Sequence, residues 1–156
     1  MTERRLPENV HVVDASVAVK WILPLADEHH GPHAQRLLDD YAAGRVYLIG
    51  PPQLSSEIGS ALLKAARSER ITFDQGRAMI EAFQRLRILE IPGESVLATA
   101  WDLAVQFGCS YHDARYLALS DLLRYPFVHA DEKLRAKLAG SFPHEVWIED
   151  YRTPSA

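Results

Sequence analysis

Short runs of Val, Ile and Leu alternate along the chain with longer stretches in which apolar residues recur every three or four positions. The short runs predict β-strands, and the longer stretches predict amphipathic α-helices. This alternation is typical of α/β proteins, in which helices cover a central, mostly parallel sheet. The predicted strands are 10–13, 46–49, 88–91, 127–129 and 145–148.

Several of the predicted helices have clear ends in the sequence. Pro24 cannot continue a helix that begins at residue 16, and Gly44 ends a helix that begins at 27 or 30. Thr72 and Gln75 have the spacing of a capping box at a helix N-terminus. The full set of predicted helices is 16–23, 27 or 30 to 43, 54–67, 72–86, 94–107, 111–123 and 132–138.

The composition indicates a compact, acidic protein. A chain of 156 residues with 47% hydrophobic content fits a single domain over 1–156, with an ordered core at about 10–150. Seventeen Lys and Arg against 21 Asp and Glu give a net charge of −4, so no general positive field attracts nucleic acid or an anionic membrane. Any contact with nucleic acid must use local cations, for which the candidates are Lys64, Arg67, Arg70, Arg115, Lys133, Arg135 and Lys137.

The cysteine content and the apolar segments bear on location. The single cysteine, Cys109, excludes an internal disulfide framework and a zinc site built from cysteines. The N-terminal sequence MTERRLPEN is charged, and the most apolar stretch, 17–26, is interrupted by Lys20 and Pro24. We therefore expect a soluble cytoplasmic protein that does not enter the membrane.

Two acids follow predicted strands. Asp14 comes directly after strand 10–13, and Asp131 comes shortly after strand 127–129. Ligands of open parallel sheets bind at the carboxyl ends of the strands. Both side chains are therefore expected at the functional edge of the sheet.

Two further acids lie on predicted helices, at positions near the end of the sheet or near a buried apolar stripe. Asp113 lies in the first turn of helix 111–123, near one end of the sheet. Glu57 borders the apolar stripe of helix 54–67 and has small neighbours one turn on, Ser60 and Ala61. A carboxylate beside a buried stripe is costly to desolvate unless something compensates it.

Each acid also has a structural explanation, which the sequence alone leaves open. Asp14 and Asp131 are well placed to be helix N-caps. Ser110 and Asp113 have the spacing of a capping box, and Glu57 could simply extend into solvent.

A convergence of four acids would need a cation. Without bases among them, the carboxylates would repel one another and their pKa values would rise. Mg²⁺ and Mn²⁺ prefer carboxylate oxygen and water and bridge readily to phosphate. If the fold brings these acids together, a metal site for phosphate chemistry is the expected result.

Four segments of the chain resemble a known family in order and spacing. VVDASVAVKWILP, SSEIGSALLKA, SYHDARYLALS and HADEKL resemble the motifs of PIN domains, most closely those of the small VapC-type ribonuclease toxins of prokaryotic toxin–antitoxin modules. The resemblance extends over about 10–148. It implies an α/β/α three-layer domain with a central, mostly parallel sheet and a Mg²⁺- or Mn²⁺-dependent endoribonuclease.

The resemblance also implies roles for particular residues. The family's acidic quartet corresponds to Asp14, Glu57, Asp113 and Asp131. Asp14 and Asp113 would bind metal directly or through water, whereas Glu57 and Asp131 would complete the site or orient the nucleophilic water. Ser16, two residues after the first acid, would contact the substrate phosphate or a metal-bound water.

One position departs from the family pattern. The family commonly has Thr or Ser two residues before its last acid, where this chain has His129. We therefore expect altered hydrogen bonding around Asp131 and a pH-sensitive corner of the site. Arg115, just after Asp113, is a candidate substrate contact.

The resemblance further implies a cognate antitoxin protein as inhibitor and a homodimer. The apolar residues Trp21, Ile22, Leu23 and Leu25 could serve either contact, although a core role is favoured. The weak recruitment of RNA by an acidic protein favours a substrate recognised by shape, such as a structured tRNA or rRNA loop. The alternative function is a PIN-like scaffold that binds protein or RNA without cleaving it, and His129 is the one feature that favours it.

Overall fold

The structure is a computed structural model that describes residues 7–23 and 30–155. Its centre is a five-stranded sheet in the order β3-β2-β1-β4-β5, in which every neighbouring pair is parallel. This confirms the predicted α/β class, and the sheet is wholly parallel rather than mostly so. The strands are β1 (Val10–Val13), β2 (Tyr47–Gly50), β3 (Leu89–Glu90), β4 (Phe127–His129) and β5 (Glu145–Trp147).

Helices cover both faces of this sheet. The chain moves from β1 to β3 in one direction and from β3 to β5 in the other. Because crossovers between parallel strands are right-handed, the helices before and after β3 lie on opposite faces, which is the three-layer arrangement that was predicted. The helices are α1 (Ala15–Ile22), α2 (Gly31–Ala42), α3 (Leu54–Arg67), α4 (Phe73–Leu86), α5 (Ser95–Phe107), α6 (Tyr111–Leu123), α7 (Glu132–Leu138) and a short 3₁₀ helix (Ile148–Asp150).

The central strands lie in the core, and their burial explains why their sequences are continuous apolar runs. Val12 and Val13 of β1 and Phe127 and Val128 of β4 are all fully buried. Strands of a parallel sheet with helices on both faces are buried on both sides, so successive residues can all be apolar. The sequence pattern therefore located these two strands to the residue.

The edge strands are shorter than predicted. Strand 88–91 contains only one short ladder to β2, in which Ile49 pairs with Leu89 and Gly50 pairs with Glu90. Among the strands that the structure describes, β3 has a neighbour on one side only, and Leu89 is exposed. At the other edge, Ile148 leaves β5 and enters the 3₁₀ helix.

The apolar segment after β1 is mainly part of the core. Leu23 is buried, and the partly buried Trp21 and Ile22 pack against the core. The Trp21 indole N–H donates to the carbonyl of Ala34 at 2.8 Å, which fastens α1 to α2. Leu25 and the predicted helix start at residue 27 lie outside the described residues. Within 7–23 and 30–155, no helix combines the length and apolar character needed to cross a membrane.

The strand order creates a crevice between β1 and β4. From β1 the chain goes to β2 on one side, whereas β4 lies on its other side and leads to β5. Such a topological switch point opens a crevice at the carboxyl ends of the two strands. The backbone N–H of Asp14 donates to the carbonyl of Val128 at 3.0 Å, so the end of β1 is held against β4 at this point.

Candidate active site

Asp14 lies at the carboxyl end of β1 and is the N-cap of α1. Its carboxylate accepts a hydrogen bond from the backbone N–H of Ser16 at 3.0 Å, so the capping role is confirmed. The pKa of Asp14 is raised to about 7, mainly by burial and to a smaller extent by the nearby charges of Glu57 and Asp113, whereas hydrogen bonds from Ser16 act in the opposite direction. The cap therefore does not offset the free-energy cost of burying this negative charge. A bound cation would lower that cost.

Ser16 joins the ends of β1 and β4. Its hydroxyl accepts from the backbone N–H of Ala130 at 3.0 Å, and its side chain also hydrogen-bonds to Asp14. A hydroxyl can accept and donate at the same time, so Ser16 fixes the Asp14 carboxylate relative to β4. A contact between Ser16 and substrate stays a prediction.

Glu57 lies in the first turn of α3 and is partly buried. Its Oε2 accepts a hydrogen bond from the hydroxyl of Tyr116 on α6. Burial raises the pKa of Glu57 and Asp113 adds to that rise, while Tyr116, His112 and Arg115 lower it. The side chain is therefore directed toward α6 and the other acids and does not extend freely into solvent.

Asp113 is held at the start of α6 by a reciprocal cap. The Ser110 hydroxyl accepts from the backbone N–H of Asp113 at 3.0 Å and donates to its Oδ2 at 2.7 Å. Ser110 is thus confirmed as the N-cap of α6, although its second contact with Asp113 uses the hydroxyl, whereas a capping box uses the backbone N–H of the N-cap residue. Because Asp113 raises the pKa of both Asp14 and Glu57, these three acids form one electrostatic group.

A buried amide sets the position of α3 relative to α6. Gln53, directly before α3, is 7% exposed, and its Nε2 donates to the carbonyl of His112 at 2.7 Å. This contact links the first turns of the two helices, which carry Glu57 and Asp113. The residues involved are 59 positions apart in the sequence, so sequence reasoning gave no sign of it.

Asp131 is the N-cap of α7. Its Oδ1 accepts from the backbone N–H groups of Lys133 and Leu134 at 2.9 and 3.0 Å, which confirms the capping alternative. It follows Ala130, the residue that donates to Ser16, and so it lies at the same end of the sheet as Asp14. Its carboxylate is hydrogen-bonded to the N-terminus of α7. A role for it in one site with the other three acids stays a prediction.

His129 lies in the core beneath this corner. It is fully buried, stacks on Phe127 with ring centroids 5.1 Å apart, and its Nε2 is 2.9 Å from Oε1 of Glu145 on β5. Burial lowers the pKa of His129, although Glu145 and Asp131 act to raise it. The imidazole therefore pairs with Glu145, and the altered hydrogen bonding around Asp131 and the pH sensitivity of this corner stay predictions.

Arg115 lies on α6 beside the acidic group. It is partly buried, and its charge lowers the pKa of Glu57. Its Nε has no hydrogen-bond partner among the described residues. A role in substrate contact fits this position but stays a prediction.

The donor chemistry of the acids fits a hard divalent cation, although they do not form a closed shell. Within residues 7–23 and 30–155, no three His, Cys, Asp or Glu side chains are grouped closely enough to hold a metal ion. Buried carboxylate oxygen with a raised pKa at Asp14 is nevertheless the kind of ligand that Mg²⁺ and Mn²⁺ take. Mg²⁺ usually keeps several waters and uses one or two carboxylates, which an open arrangement permits.

Sequence reasoning overlooked Tyr116. Its position three residues after Asp113 puts the two side chains on the same side of α6. Within the apolar segment ARYLALS, however, an aromatic residue is an ordinary core residue. Its hydroxyl contact with Glu57 depends on the tertiary fold, which brings the first turns of α3 and α6 together at one end of the sheet.

Comparison with known proteins identifies relatives of this chain. No family model matches it. The chain is 30% identical over 123 residues to VapC ribonuclease Mb0985 of Mycobacterium bovis, an alignment that covers 79% of this chain and 87% of that protein. It is 31% identical over 97 residues to ribonuclease VapC1 of Mycobacterium tuberculosis, with coverage of 62% and 70%.

The fold also has a counterpart among solved structures. The crystal structure of PAE2754 from Pyrobaculum aerophilum superimposes with a TM-score of 0.64 at 22% sequence identity, over 90% of this chain and 85% of that one. This likeness supports the three-layer fold. From its strand order, its ordered acidic motifs and its identity to curated relatives, the chain belongs to the VapC ribonuclease family of PIN-domain proteins.

Proposed function

We propose that this chain is a Mg²⁺- or Mn²⁺-dependent endoribonuclease, the toxin of a toxin–antitoxin module, that hydrolyses RNA phosphodiester bonds at Asp14, Glu57, Asp113 and Asp131. The observation that carries the proposal is the buried Asp14 carboxylate at the switch point, whose pKa is raised by burial and then by Glu57 and Asp113. A site of this kind, in a chain whose relatives are named ribonucleases, supports metal-assisted hydrolysis of RNA.

The acids have distinct tasks in this proposal. Asp14, fixed by Ser16, and Asp113, fixed by Ser110, would hold the cation. Glu57 and Asp131 would complete the site or orient the attacking water. A bound divalent cation would activate that water and stabilise charge on the phosphate and the leaving oxygen. Because Asp14 has a raised pKa, cation binding near neutral pH would release a proton from it.

The substrate would be bound through few charges. The net charge of −4 disfavours binding along an extended RNA backbone. Arg115, whose charge acts on Glu57, would contact a phosphate next to the acids. We therefore propose a structured RNA, such as a tRNA or rRNA loop whose bases are already unstacked.

The family resemblance supports a cognate antitoxin, a homodimer and a cytoplasmic location. One surface feature supports a protein partner of some kind. Leu97, Trp101 and Val105 follow one another at four-residue intervals on α5 and are 46%, 66% and 70% exposed. Apolar surface of this kind marks protein interaction sites.

Cleavage assays with matched acid variants test the proposed activity. Purified protein, free of antitoxin, is incubated with total RNA and with structured RNAs in Mg²⁺ or Mn²⁺. We expect Asp14→Asn and Asp113→Asn to lower the cleavage rate by about 100-fold or more, since each removes a negative metal ligand. Asp74→Asn makes the same chemical change on the exposed start of α4 and should cleave at the wild-type rate.

Two outcomes would contradict the proposal. Equal cleavage by wild type and both site variants would show a contaminating nuclease. No cleavage by wild type of any RNA in the panel, together with retained RNA or protein binding, would favour the scaffold function instead.

A further inference from the structure

Tyr116 is the one aromatic residue among the described side chains whose hydroxyl contacts a site acid. The residue is 1% exposed and lies on α6, three positions after Asp113. Its hydroxyl donates to Oε2 of Glu57 on α3. The backbone N–H of Ala15, at the start of α1 next to Asp14, also hydrogen-bonds to the phenol.

The position of this hydroxyl is fixed by packing. The Tyr116 ring lies in the core with its centroid 6.0 Å from that of Phe127 on β4. A buried ring has little rotational freedom left, whereas Glu57 has three rotatable side-chain bonds and is only partly buried. The rigid residue can therefore orient the flexible one.

Glu57 needs such an orienting contact because its surroundings repel it. Asp113 is close enough to disfavour its negative charge, and like charges at a shared site push each other apart or take up protons. A carboxylate without a hydrogen-bond donor on this side would turn toward solvent. The Tyr116 hydroxyl keeps it facing the other acids.

We propose that Tyr116 is a positioning residue of the acidic site, which holds Glu57 toward Asp14 and Asp113 and so sets the affinity of the site for a divalent cation. Its effect on RNA cleavage rests on the proposed function, but its effect on cation binding does not. Partners that orient metal ligands typically change metal affinity by about 10–100-fold when they are removed.

The chain offers a matched control in a second hydroxyl–carboxylate pair. The Tyr151 hydroxyl donates to Oδ2 of the buried Asp40 at 2.6 Å. Arg45 also contacts Asp40, at 2.7 Å. Because Arg45 comes just before the start of β2, this cluster lies at the opposite end of the sheet from the acids. Removing the Tyr151 hydroxyl therefore breaks the same kind of bond away from the site.

The experiment compares Tyr116→Phe with Tyr151→Phe in the full chain. Mn²⁺ affinity is measured by calorimetry without RNA, cleavage is measured across a range of Mn²⁺ concentrations, and stability is measured by urea unfolding. We expect Tyr116→Phe to weaken Mn²⁺ binding about tenfold and to regain cleavage at saturating Mn²⁺. Tyr151→Phe should lower the unfolding midpoint but leave Mn²⁺ affinity within about twofold.

A second variant keeps the test decisive if Tyr116→Phe does not fold. Glu57→Asp retains the charge but is too short to reach the Tyr116 hydroxyl, so it should lose about the same Mn²⁺ affinity. If Tyr116→Phe does fold, the two changes together should be far from additive. Unchanged Mn²⁺ affinity in the folded variants, an equal loss in Tyr151→Phe, or a wild type that binds no Mn²⁺ would overturn the inference. A wild type that binds Mn²⁺ and cleaves no RNA would instead contradict the proposed function alone.

Discussion

Asp14 combines two roles that place opposite demands on one side chain. As the N-cap of α1 it stabilises the helix by accepting from Ser16. As a buried carboxylate near Glu57 and Asp113 it destabilises the fold whenever it is ionised. A residue selected for stability alone would keep the cap and lose the charge, and Asn does this because it caps helices about as well as Asp.

The first prediction is that Asp14→Asn stabilises the protein at alkaline pH when no divalent cation is present. The pKa of Asp14 is about 7 in the folded protein and about 3.9 in an unfolded chain. Between these values the folded state binds more protons, so its free energy of unfolding decreases as pH rises and stays low above pH 7. The variant avoids this cost, and we expect it to be more stable than wild type by about 2–4 kcal/mol at pH 8, with a difference near zero at pH 4.

Urea unfolding of both proteins at pH 4, 6 and 8 measures this difference. Addition of Mn²⁺ at pH 8 should raise the free energy of unfolding of wild type much more than that of the variant, because ligands that bind only the folded state stabilise it. A stability difference that is the same at all three pH values would contradict the raised pKa.

At the level of helices, α6 and α4 begin with the same kind of hydroxyl cap. Ser110 accepts from the N–H of Asp113, and Thr72 accepts from the N–H of Gln75, each at 3.0 Å. Ser110 has an additional role because its hydroxyl also donates to the Asp113 carboxylate. Thr72 lies beyond the far end of α3, about 15 Å along that helix from Glu57.

The two caps should therefore differ in function but not in stability. We predict that Ser110→Ala and Thr72→Ala each lower the free energy of unfolding by about 1 kcal/mol. Ser110→Ala also frees the Asp113 side chain, and it should reduce Mn²⁺ affinity and the cleavage rate several-fold, whereas Thr72→Ala leaves both unchanged. Calorimetry, cleavage assays and urea unfolding on the two variants decide this, and an equal loss of Mn²⁺ affinity in both would refute it.

Sequence patterns predicted the elements that local forces determine. β1, β4 and α3 were placed correctly, and the Thr72–Gln75 capping box was identified, because apolar periodicity and capping residues act over a few positions. β3 was overestimated because an edge strand is limited by its one neighbour, which the run of apolar residues at 88–91 does not reveal.

The acidic site was only partly accessible from the sequence for the same reason. The positions of Asp14 and Asp131 follow from the strands that precede them, and both turned out to be caps as well. The contacts that orient the site join residues far apart in the chain, such as Tyr116 with Glu57 and Gln53 with His112. No local pattern indicates that Tyr116 and Gln53 make these contacts.

At the level of the whole molecule, the topology places acids that are widely separated in the chain at one edge of the sheet. Asp14 follows β1, Glu57 follows β2 and Asp131 follows β4, and the parallel sheet directs all three strand ends the same way. Asp113 joins them from the start of α6. The resulting negative edge lies on a protein that already carries a net charge of −4, so the molecule as a whole repels RNA unless cations offset the acids.

This charge distribution predicts a weak salt dependence of RNA binding. If binding uses only two or three phosphate contacts near the acids, the logarithm of the affinity should fall with the logarithm of salt concentration with a slope of about −2, since each contact with single-stranded RNA contributes about −0.7.

The measurement uses Asp14→Asn, which should bind without cleaving, in constant Mg²⁺ with a hairpin RNA. Arg115→Ala in the same background should make the slope shallower by about one contact, whereas Arg77→Ala on the exposed face of α4 should not change it. A slope steeper than about −5 would instead require an extended basic surface, and the substrate would then be recognised through its backbone and not through the shape of a loop.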